Sequence, residues 1–472
     1  MKVIYIIADT LRRDHVSVYG DAPWKLPANG SGKIHTPNLE RLASEAAVFE
    51  NAHIGSFPTG PNRRDTALGH GDKGLPFNRW RTLDSDEVTF PRLLAQNDIP
   101  SMLITDTQNT VTRNLNLYRD FSAWTLIRGQ EGDRCWMDDS VPLEFPVPHE
   151  LIRYRAEMWH QILTNRAHRR LETDWFAPQT YRVAIDWLES NYRRKDFFLW
   201  IDTFDPHEPW DPPQHYVDTY DPGYTGRVIE APPAGLRRKM GITDHELTHI
   251  RACYAGEVTM VDAWLGHLLD KLERLGILDE CLILFTSDHG NPLAGPGDFG
   301  LVRKPVVIGA DGTFASAGRP AKDPKRFFPL SLNTTRIPLI VRLPDMKKTK
   351  RIKGIVQPWD VAATILDAFG VRRPSNIIGR SLLPLIGGKT KKIRDAALSG
   401  NNDLAQFNDG RWLYAVRQRG EGRWLFDLRS DPNCEKNAAA KQSKTASRLH
   451  GRLAKAMREW KIGEEFIAGY DA

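Results

Sequence analysis

An α/β fold, with a mostly parallel (mixed) sheet sandwiched by helices, is predicted by three features of this 472-residue chain. Residues 3–8 (VIYIIA) and 282–287 (LILFTS) are short, continuous apolar runs, as expected of strands buried on both faces of a parallel sheet. Each run ends in a carboxylate, Asp9 or Asp288, and ligands of open α/β sheets bind just beyond the carboxyl ends of the strands. Helical and strand-like segments alternate between and after these runs, the pattern of a sheet with helices on both faces.

The elements follow in order. Thr36-Pro37-Asn38 opens a helix with Pro at its first position and Leu39, Leu42 and Ala43 at helical spacing. A helix near residues 90–96 leads to a strand at 101–105 that ends at Asp106. Residues 180–192 read as a helix, 197–202 as a strand, and 205–213 as a Pro-rich loop. A helix over 246–275 precedes the strand carrying Asp288. After a long loop to about residue 330 come a strand at 337–342, a basic segment at 347–353 (KKTKRIK) that reads as a solvated loop, and a helix at 359–369. Residues 411–416 and 423–428 flank a Gly-containing polar turn and predict an antiparallel hairpin, closed by a helix at 446–461. The expected division is a catalytic domain over 1–384 and a smaller C-terminal α/β subdomain, containing an antiparallel sheet, over 385–472.

Composition bounds the partners. The net charge of +6 comes from 65 basic and 59 acidic residues, with no basic and aromatic stripe of the kind that binds nucleic acid. Cys135, Cys253, Cys281 and Cys434 form no Cys-x-x-Cys pair, which argues against a zinc ribbon or a disulfide framework. No apolar run approaches the ~20 residues of a membrane span, and the first strand starts at residue 3, leaving no room for a secretory leader. The expectation is a cytoplasmic protein with no nucleic-acid or membrane partner and an undetermined oligomeric state.

Two segments carry chemistry. Asp288-His289-Gly290 offers an oxygen and a nitrogen ligand from consecutive positions, with Gly290 allowing a tight turn, and Asp9 could meet the same cation. In Thr59-Gly60-Pro61-Asn62-Arg63 a hydroxyl stands four residues ahead of a guanidinium. At a loop entering a helix, Thr59 would take the N-terminus while Arg63 points back one turn into the same space.

These segments resemble the sulfatase branch of the alkaline phosphatase superfamily, including its phosphonate monoester hydrolase-like members. The resemblance is collinear from residue 3 to about 440. It also takes in residues 11–15 (LRRDH), Thr36-Pro37-Asn38, Arg128-Gly129-Gln130-Glu131, Asp205-Pro206-His207, Val261-Asp262 with Gly266, Arg336-Ile337-Pro338, and Leu425-Phe426-Asp427 with Asp431-Pro432. It implies an alkaline phosphatase-like fold and a metal-dependent ester hydrolase. Asp9, Asp288 and His289 would be metal ligands, and Thr59 the nucleophile, also touching the cation. Arg63, His207 and Lys304 would face the transferred group.

Two departures redirect that reading. Family sulfatases carry Cys or Ser, oxidised to formylglycine, where this chain has Thr59, and oxidising threonine gives a ketone. The hemiacetal exit for sulfate is therefore closed, while a threonine alkoxide activated by a divalent cation remains open. Water can open a phosphothreonine in line, so a phosphodiester or phosphonate-type ester is favoured over sulfate. Thr10 stands where many sulfatases have a second Asp, and the remaining ligands suit one Mn²⁺ or Zn²⁺ at least as well as Ca²⁺. The expected substrate is a small-molecule or glycan anionic ester. The alternatives are a sulfatase proper and a non-catalytic binding protein of the same fold.

Overall fold

The computed structural model describes residues 1–28, 30–72, 76–111, 115–298, 300–302, 307–308, 314–315, 330–401, 404–418, 422–460 and 462–470. Its strands are β1 (Lys2–Ala8), β2 (Ala47–His53), β3 (Ser101–Thr105), β4 (Ala123–Leu126), β5 (Phe197–Thr203), β6 (Cys281–Ser287), β7 (Val307–Ile308), β8 (Phe314–Ala315), β9 (Arg336–Ile337), β10 (Leu339–Arg342), β11 (Lys350–Val356), β12 (Ala397–Gly400), β13 (Leu404–Asn408), β14 (Trp412–Arg417) and β15 (Arg423–Asp427). Its α-helices are α1 (Pro37–Ser44), α2 (Thr59–Leu68), α3 (Phe90–Ala95), α4 (Gln108–Val111), α5 (Ala156–Arg166), α6 (Phe176–Asn191), α7 (Gln214–Asp218), α8 (Asp244–Arg274), α9 (Leu332–Thr335), α10 (Trp359–Ala368), α11 (Leu383–Ile386), α12 (Ser443–Glu459) and α13 (Glu464–Ala468).

The predicted fold class holds. A nine-stranded sheet runs in the order β11-β2-β10-β6-β1-β5-β3-β4, with β9 paired to β2. Central β1 is parallel to β5 and to β6, and its last residue, Ala8, lies opposite both Thr203 and Ser287. The three strands therefore end level, which brings the residues beyond them to one edge. Alternate side chains of β1 enter opposite cores. Ile4, Ile6 and Ala8 join Leu39, Tyr181, Leu188 and Leu265, whereas Val3, Tyr5 and Ile7 join Leu68, Phe90, Leu94 and Ile365. Burial on both faces explains why β1 and β6 read as unbroken apolar runs.

A second sheet, β12-β13-β14-β15, is antiparallel throughout, and the predicted hairpin supplies its last two strands. Helix α12 covers one face, packing Leu449, Leu453 and Met457 with Phe407, Tyr414 and Leu425. Two expectations need correction, and one strand was not foreseen. Residues 350–356, beginning within the basic segment, form β11, an edge strand parallel to β2, in which Ile352, Ile355 and Val356 are buried while Arg351 and Lys353 are exposed. The strand expected at 337–342 is broken at Pro338 into β9 and β10, and β10 runs antiparallel to β6. β2 went unread because Glu50 and Asn51 interrupt its apolar run. Among the described residues, no helix is long and apolar enough to cross a membrane.

Helix α8 starts with a capping box between Thr243 and Glu246. Further along it, buried Asp262 accepts hydrogen bonds from the Asn38 and Leu39 amides at 3.0 and 2.7 Å and from Asn38 Nδ2 at 3.0 Å. It thereby closes the N-terminus of α1. A Cβ on Gly266 would lie 2.5 Å from Asn38 Oδ1, so glycine is what lets α8 approach this closely. Asp262→Ala leaves three donors without their acceptor and is expected to lower unfolding free energy by about 2–3 kcal/mol in urea titration. A loss below about 0.5 kcal/mol would show that the clamp contributes nothing.

Candidate active site

Three level strands deliver a cluster of acids to the carboxyl edge of the sheet. Asp9 follows β1 and donates its amide to Thr203 O at 2.9 Å, Asp202 lies near the end of β5, and Asp288 follows β6. Asp106, just beyond β3, accepts from the Phe204 amide at 2.6 Å and from Thr203 Oγ1 at 3.2 Å. All four are buried. Burial, with Asp205 and Asp202 nearby, pushes the Asp106 carboxyl well above the ordinary carboxylate range.

Arg63, one turn into α2, answers this charge. Its Nε and Nη2 donate to the two oxygens of Asp202 at 2.9 and 2.6 Å. Its Nη1 lies 2.8 Å from Asp288 Oδ2, 3.1 Å from Asp9 Oδ2 and 3.2 Å from the Thr59 carbonyl. Burial opposes the positive charge, but Asp202, Asp9 and Asp288 outweigh it and hold the guanidinium pKa well above its usual value. The sequence reading turned Arg63 toward the transferred group. The buried guanidinium is instead engaged by the carboxylates at Nε and both terminal nitrogens, which makes it a positioning residue.

The ligand atoms of Asp9, Asp288 and His289 all lie within 4.8 Å of one another. His289 Nδ1–H donates to Gly290 O at 2.9 Å, which turns Nε2 toward the carboxylates, 3.6 Å from Asp288 Oδ2. Asp288 Oδ1 accepts from the amides of Thr10 and His289 at 2.9 and 2.7 Å. Burial works to raise the Asp288 carboxyl, but His289, Arg63 and the Thr10 amide bring it down to about 2. Two carboxylates and an imidazole nitrogen, all buried, fit a divalent ion, which would take the place of the proton on Nε2. Gly290 serves close approach, because a Cβ there would sit 1.9 Å from Asn333 O.

Thr59 is the first residue of α2, where the amides and dipole of a helix N-terminus favour a negative oxygen. The loop before it is fastened twice. Asp65 accepts from Ser56 Oγ at 2.6 Å and from Asn78 Nδ2 at 2.8 Å, and it also binds the Ser56 amide. From the second sheet, Gly400 accepts from the Phe57 amide at 2.8 Å and donates to Gly55 O at 2.9 Å. His207 is buried, stacks on Phe204 at 4.1 Å and donates Nδ1–H to Glu208 O at 2.7 Å. Glu208 Oε2 accepts from Asn291 Nδ2 at 3.2 Å, which ties the His207 loop to the chain two residues past His289. Lys304 lies outside the described residues.

The edge therefore gathers Asp9, Asp288, His289, Thr59 and Arg63 directly, with His207 joined through Asn291. Asp202 was missed as a site residue, although its strand was read. The signal was present: it is a third buried strand ending in an acid.

The family model for sulfatases matches residues 2–371. The chain belongs to the sulfatase family. Its members are divalent-metal-dependent hydrolases of ester bonds, in keeping with the Asp9, Asp288 and His289 constellation of this sulfatase-family chain. A second model, for the C-terminal region of N-sulphoglucosamine sulphohydrolase, matches residues 324–461. An N-acetylglucosamine-6-O-sulfatase of Bacteroides thetaiotaomicron is 24% identical over 83% of this chain and 72% of its own length. An arylsulfatase of Clostridium perfringens is 24% identical over 91% of this chain and 88% of its own. Among solved structures, the phosphonate monoester hydrolase of Agrobacterium radiobacter superposes with a TM-score of 0.71 at 19% identity, covering 98% of this chain and 95% of that one. A protein solved with its substrate D-glucosamine-2-N,6-O-disulfate gives a TM-score of 0.68 at 19% identity, covering 97% of this chain and 98% of its own.

Two outcomes test this geometry. Asp202→Ala leaves Arg63 buried without its bidentate partner, and loss of about 3–5 kcal/mol of stability is expected in thermal and urea unfolding. Burial pushes the Asp65 carboxyl up to about 7, against hydrogen bonds from Ser56 and Asn78 that pull it down. A folded-state pKa above the unfolded value of about 3.9 gives stability that is complete below about pH 4 and is lost as pH rises through 7. Asp65→Asn should therefore flatten the fall in unfolding free energy between pH 5 and 8 relative to the parent. Parallel pH profiles would show that Asp65 is ionised throughout.

Proposed function

We propose that this protein hydrolyses an anionic phosphoester, a phosphodiester or a phosphonate monoester, with Thr59 as the nucleophile. The observation that carries the reading is the placement of Thr59. A hydroxyl residue that cannot become formylglycine opens α2, and its carbonyl shares one Arg63 nitrogen with Asp9 and Asp288. Asp9, Asp288 and His289 would hold the divalent ion, which when bound lowers the pKa of a hydroxyl presented to it and neutralises charge on the ester. Mn²⁺ and Zn²⁺ suit the mixed oxygen and nitrogen donors at least as well as Ca²⁺.

Thr59 Oγ1 passes its proton to solvent water and forms a bond to phosphorus as the bond from phosphorus to the opposite ester oxygen breaks, while solvent returns one proton to His207 Nε2. The helix N-terminus favours the negative oxygen at the moment of attack. His207, whose Nδ1–H is fixed on Glu208 O, exchanges its proton at Nε2 and supplies it to the departing alkoxide. Water then attacks the phosphothreonine in line, releasing the phosphoryl product and restoring the Thr59 hydroxyl. Arg63 keeps the carboxylates in register throughout. The sulfated substrates named for relatives support an alternative sulfate ester, but a sulfothreonine lacks the hemiacetal exit.

The test is turnover of bis-aryl phosphate, aryl phosphonate and aryl sulfate with Mn²⁺, Zn²⁺ or Ca²⁺, alongside Thr59→Ala and Thr59→Ser. The expected result is phosphoester turnover at least about tenfold above sulfate, abolished by chelation, lost by at least about 10³-fold in Thr59→Ala and retained in part by Thr59→Ser. A phosphate adduct on Thr59, trapped by acid quench and located by mass spectrometry, would identify the nucleophile. Comparable or faster aryl sulfate turnover would overturn the substrate class, and full activity in Thr59→Ala would overturn the nucleophile. Absence of turnover with a stoichiometric metal bound would favour the non-catalytic alternative.

A further inference from the structure

A second concave site lies between the second sheet, α12 and the segments on either side of α11. Its cavity, about 280 Å³, is lined by Arg380, Arg394, Arg452 and Lys455, with Phe407 and Trp460 among its apolar walls. Two carboxylates, Asp395 and Glu459, also line it, and Asp395 is turned to Lys392 at 2.6 Å. Arg452 is already paired with Asp409 and lies over the Phe407 ring at 4.8 Å. Among the described residues, neither Arg380 nor Lys455 forms an ion pair with a carboxylate, so the lining carries excess positive charge.

Arg394 is the unusual member. One terminal nitrogen pairs with Asp360 and the other donates to Gln357 Oε1 at 3.3 Å, but its buried Nε has no acceptor among the described residues. Burial draws the pKa of this guanidinium down despite Asp360, so its charge is under-compensated where it stands. A buried donor without an acceptor, beside Lys455 and an Arg380 that binds the Ile393 carbonyl but has no carboxylate ion pair among the described residues, in a cavity with aromatic walls, is what a tetrahedral oxyanion would complete.

We propose that this cavity binds sulfate or phosphate, free or carried on a small organic ester, at Arg394, Arg380 and Lys455. The binding is independent of which ester Thr59 opens. It also has a route to the nucleophile loop. Gln357, held by Arg394, donates through Nε2 to Ile54 O at 2.9 Å and to Leu398 O at 2.7 Å. Ser399 Oγ donates to the same Ile54 carbonyl at 2.6 Å, and Gly400 holds Phe57, two residues before Thr59.

The test soaks crystals of the full chain with selenate, an anomalous scatterer shaped like sulfate, and titrates the protein with sodium sulfate and with glucose 6-sulfate at matched ionic strength. The expected result is an anomalous peak beside Arg394 Nε and Lys455, absent in Lys455→Glu and in Arg380→Gln. At least tenfold weaker binding at this site is expected in both variants, with circular dichroism unchanged. Tighter binding of glucose 6-sulfate than of sulfate assigns the site to an ester, and equal or tighter sulfate assigns it to the free anion. Selenate only at the Asp9, Asp288 and His289 edge, with equal affinity and stoichiometry in parent and variants, overturns the proposal.

Discussion

One guanidinium organises the carboxyl edge of this sheet. Arg63 reaches Asp202, Asp288 and Asp9 with nitrogen-to-oxygen distances between 2.6 and 3.1 Å, in a place none of the four side chains shares with solvent. Removing a single ion from water costs several kcal/mol even after relaxation, so no one of these acids could stay ionised there alone. The consequence reaches backward to the fold. β1, β5 and β6 must end level for their acids to converge, and α2 must enter at the angle that aims Arg63 between them. Thr59 then has no freedom of its own, because its carbonyl rests on the same Nη1 that spans Asp9 and Asp288.

The second sheet is less separate from this centre than its sequence position suggests. Its first strand, β12, pairs in parallel fashion with Ser56 through Gly400, and Ser399 and Leu398 bind the carbonyl of Ile54 and the side chain of Gln357. The loop that leads into α2 is therefore clamped between Asp65 on its own helix and a strand more than 300 residues later. A residue whose backbone is held this way would, as the proposed nucleophile, lose little further freedom on binding substrate, the condition under which orientation lowers a barrier. The cost is that the C-terminal region cannot be treated as an accessory to the site.

Legibility in the sequence followed burial pattern. β1 and β6 were readable because both faces are covered, and α8 was read over 246–275, although its capping box at Thr243 and Glu246 was not. β2 was not, because Glu50 takes ion pairs from Arg13 and Arg351 and Asn51 binds Lys353 O, polar demands that break the apolar run. The metal-ligand candidates were legible as strand-end acids beside a histidine. The role of Arg63 was not: spacing places it one turn behind Thr59 but cannot show that Asp202, nearly 140 residues away, occupies two of its nitrogens. Asp202 stood at the end of a strand read over 197–202, but no histidine or other ligand-type residue beside it marked it as part of the site. Gly290 was recognised as required, yet the reason lies with Asn333, a neighbour no local pattern reveals.

Thr10 shows which part of the site tolerates change and which does not. Its φ of 57° puts a β-branched residue in the left-handed region, a strain of order 1–3 kcal/mol. That strain is offset by two buried hydrogen bonds, from its amide to Asp288 Oδ1 at 2.9 Å and to its carbonyl from Tyr254 Oη at 2.8 Å. The backbone is thus held where it fixes Asp288, while the side chain contributes only a buried hydroxyl with no hydrogen-bond partner among the described residues. A carboxylate there would add a fifth buried acid to an edge that already holds Asp9, Asp106, Asp202 and Asp288 against one arginine. With threonine, the negative charge around the cation is lower by one, so an ion held there keeps more of its own charge for the oxygen and ester it faces. In the proposed mechanism the two threonines, Thr10 and Thr59, would therefore act in the same direction: one would leave the ion more electrophilic, and the other would supply a hydroxyl that depends on such an ion for its activation.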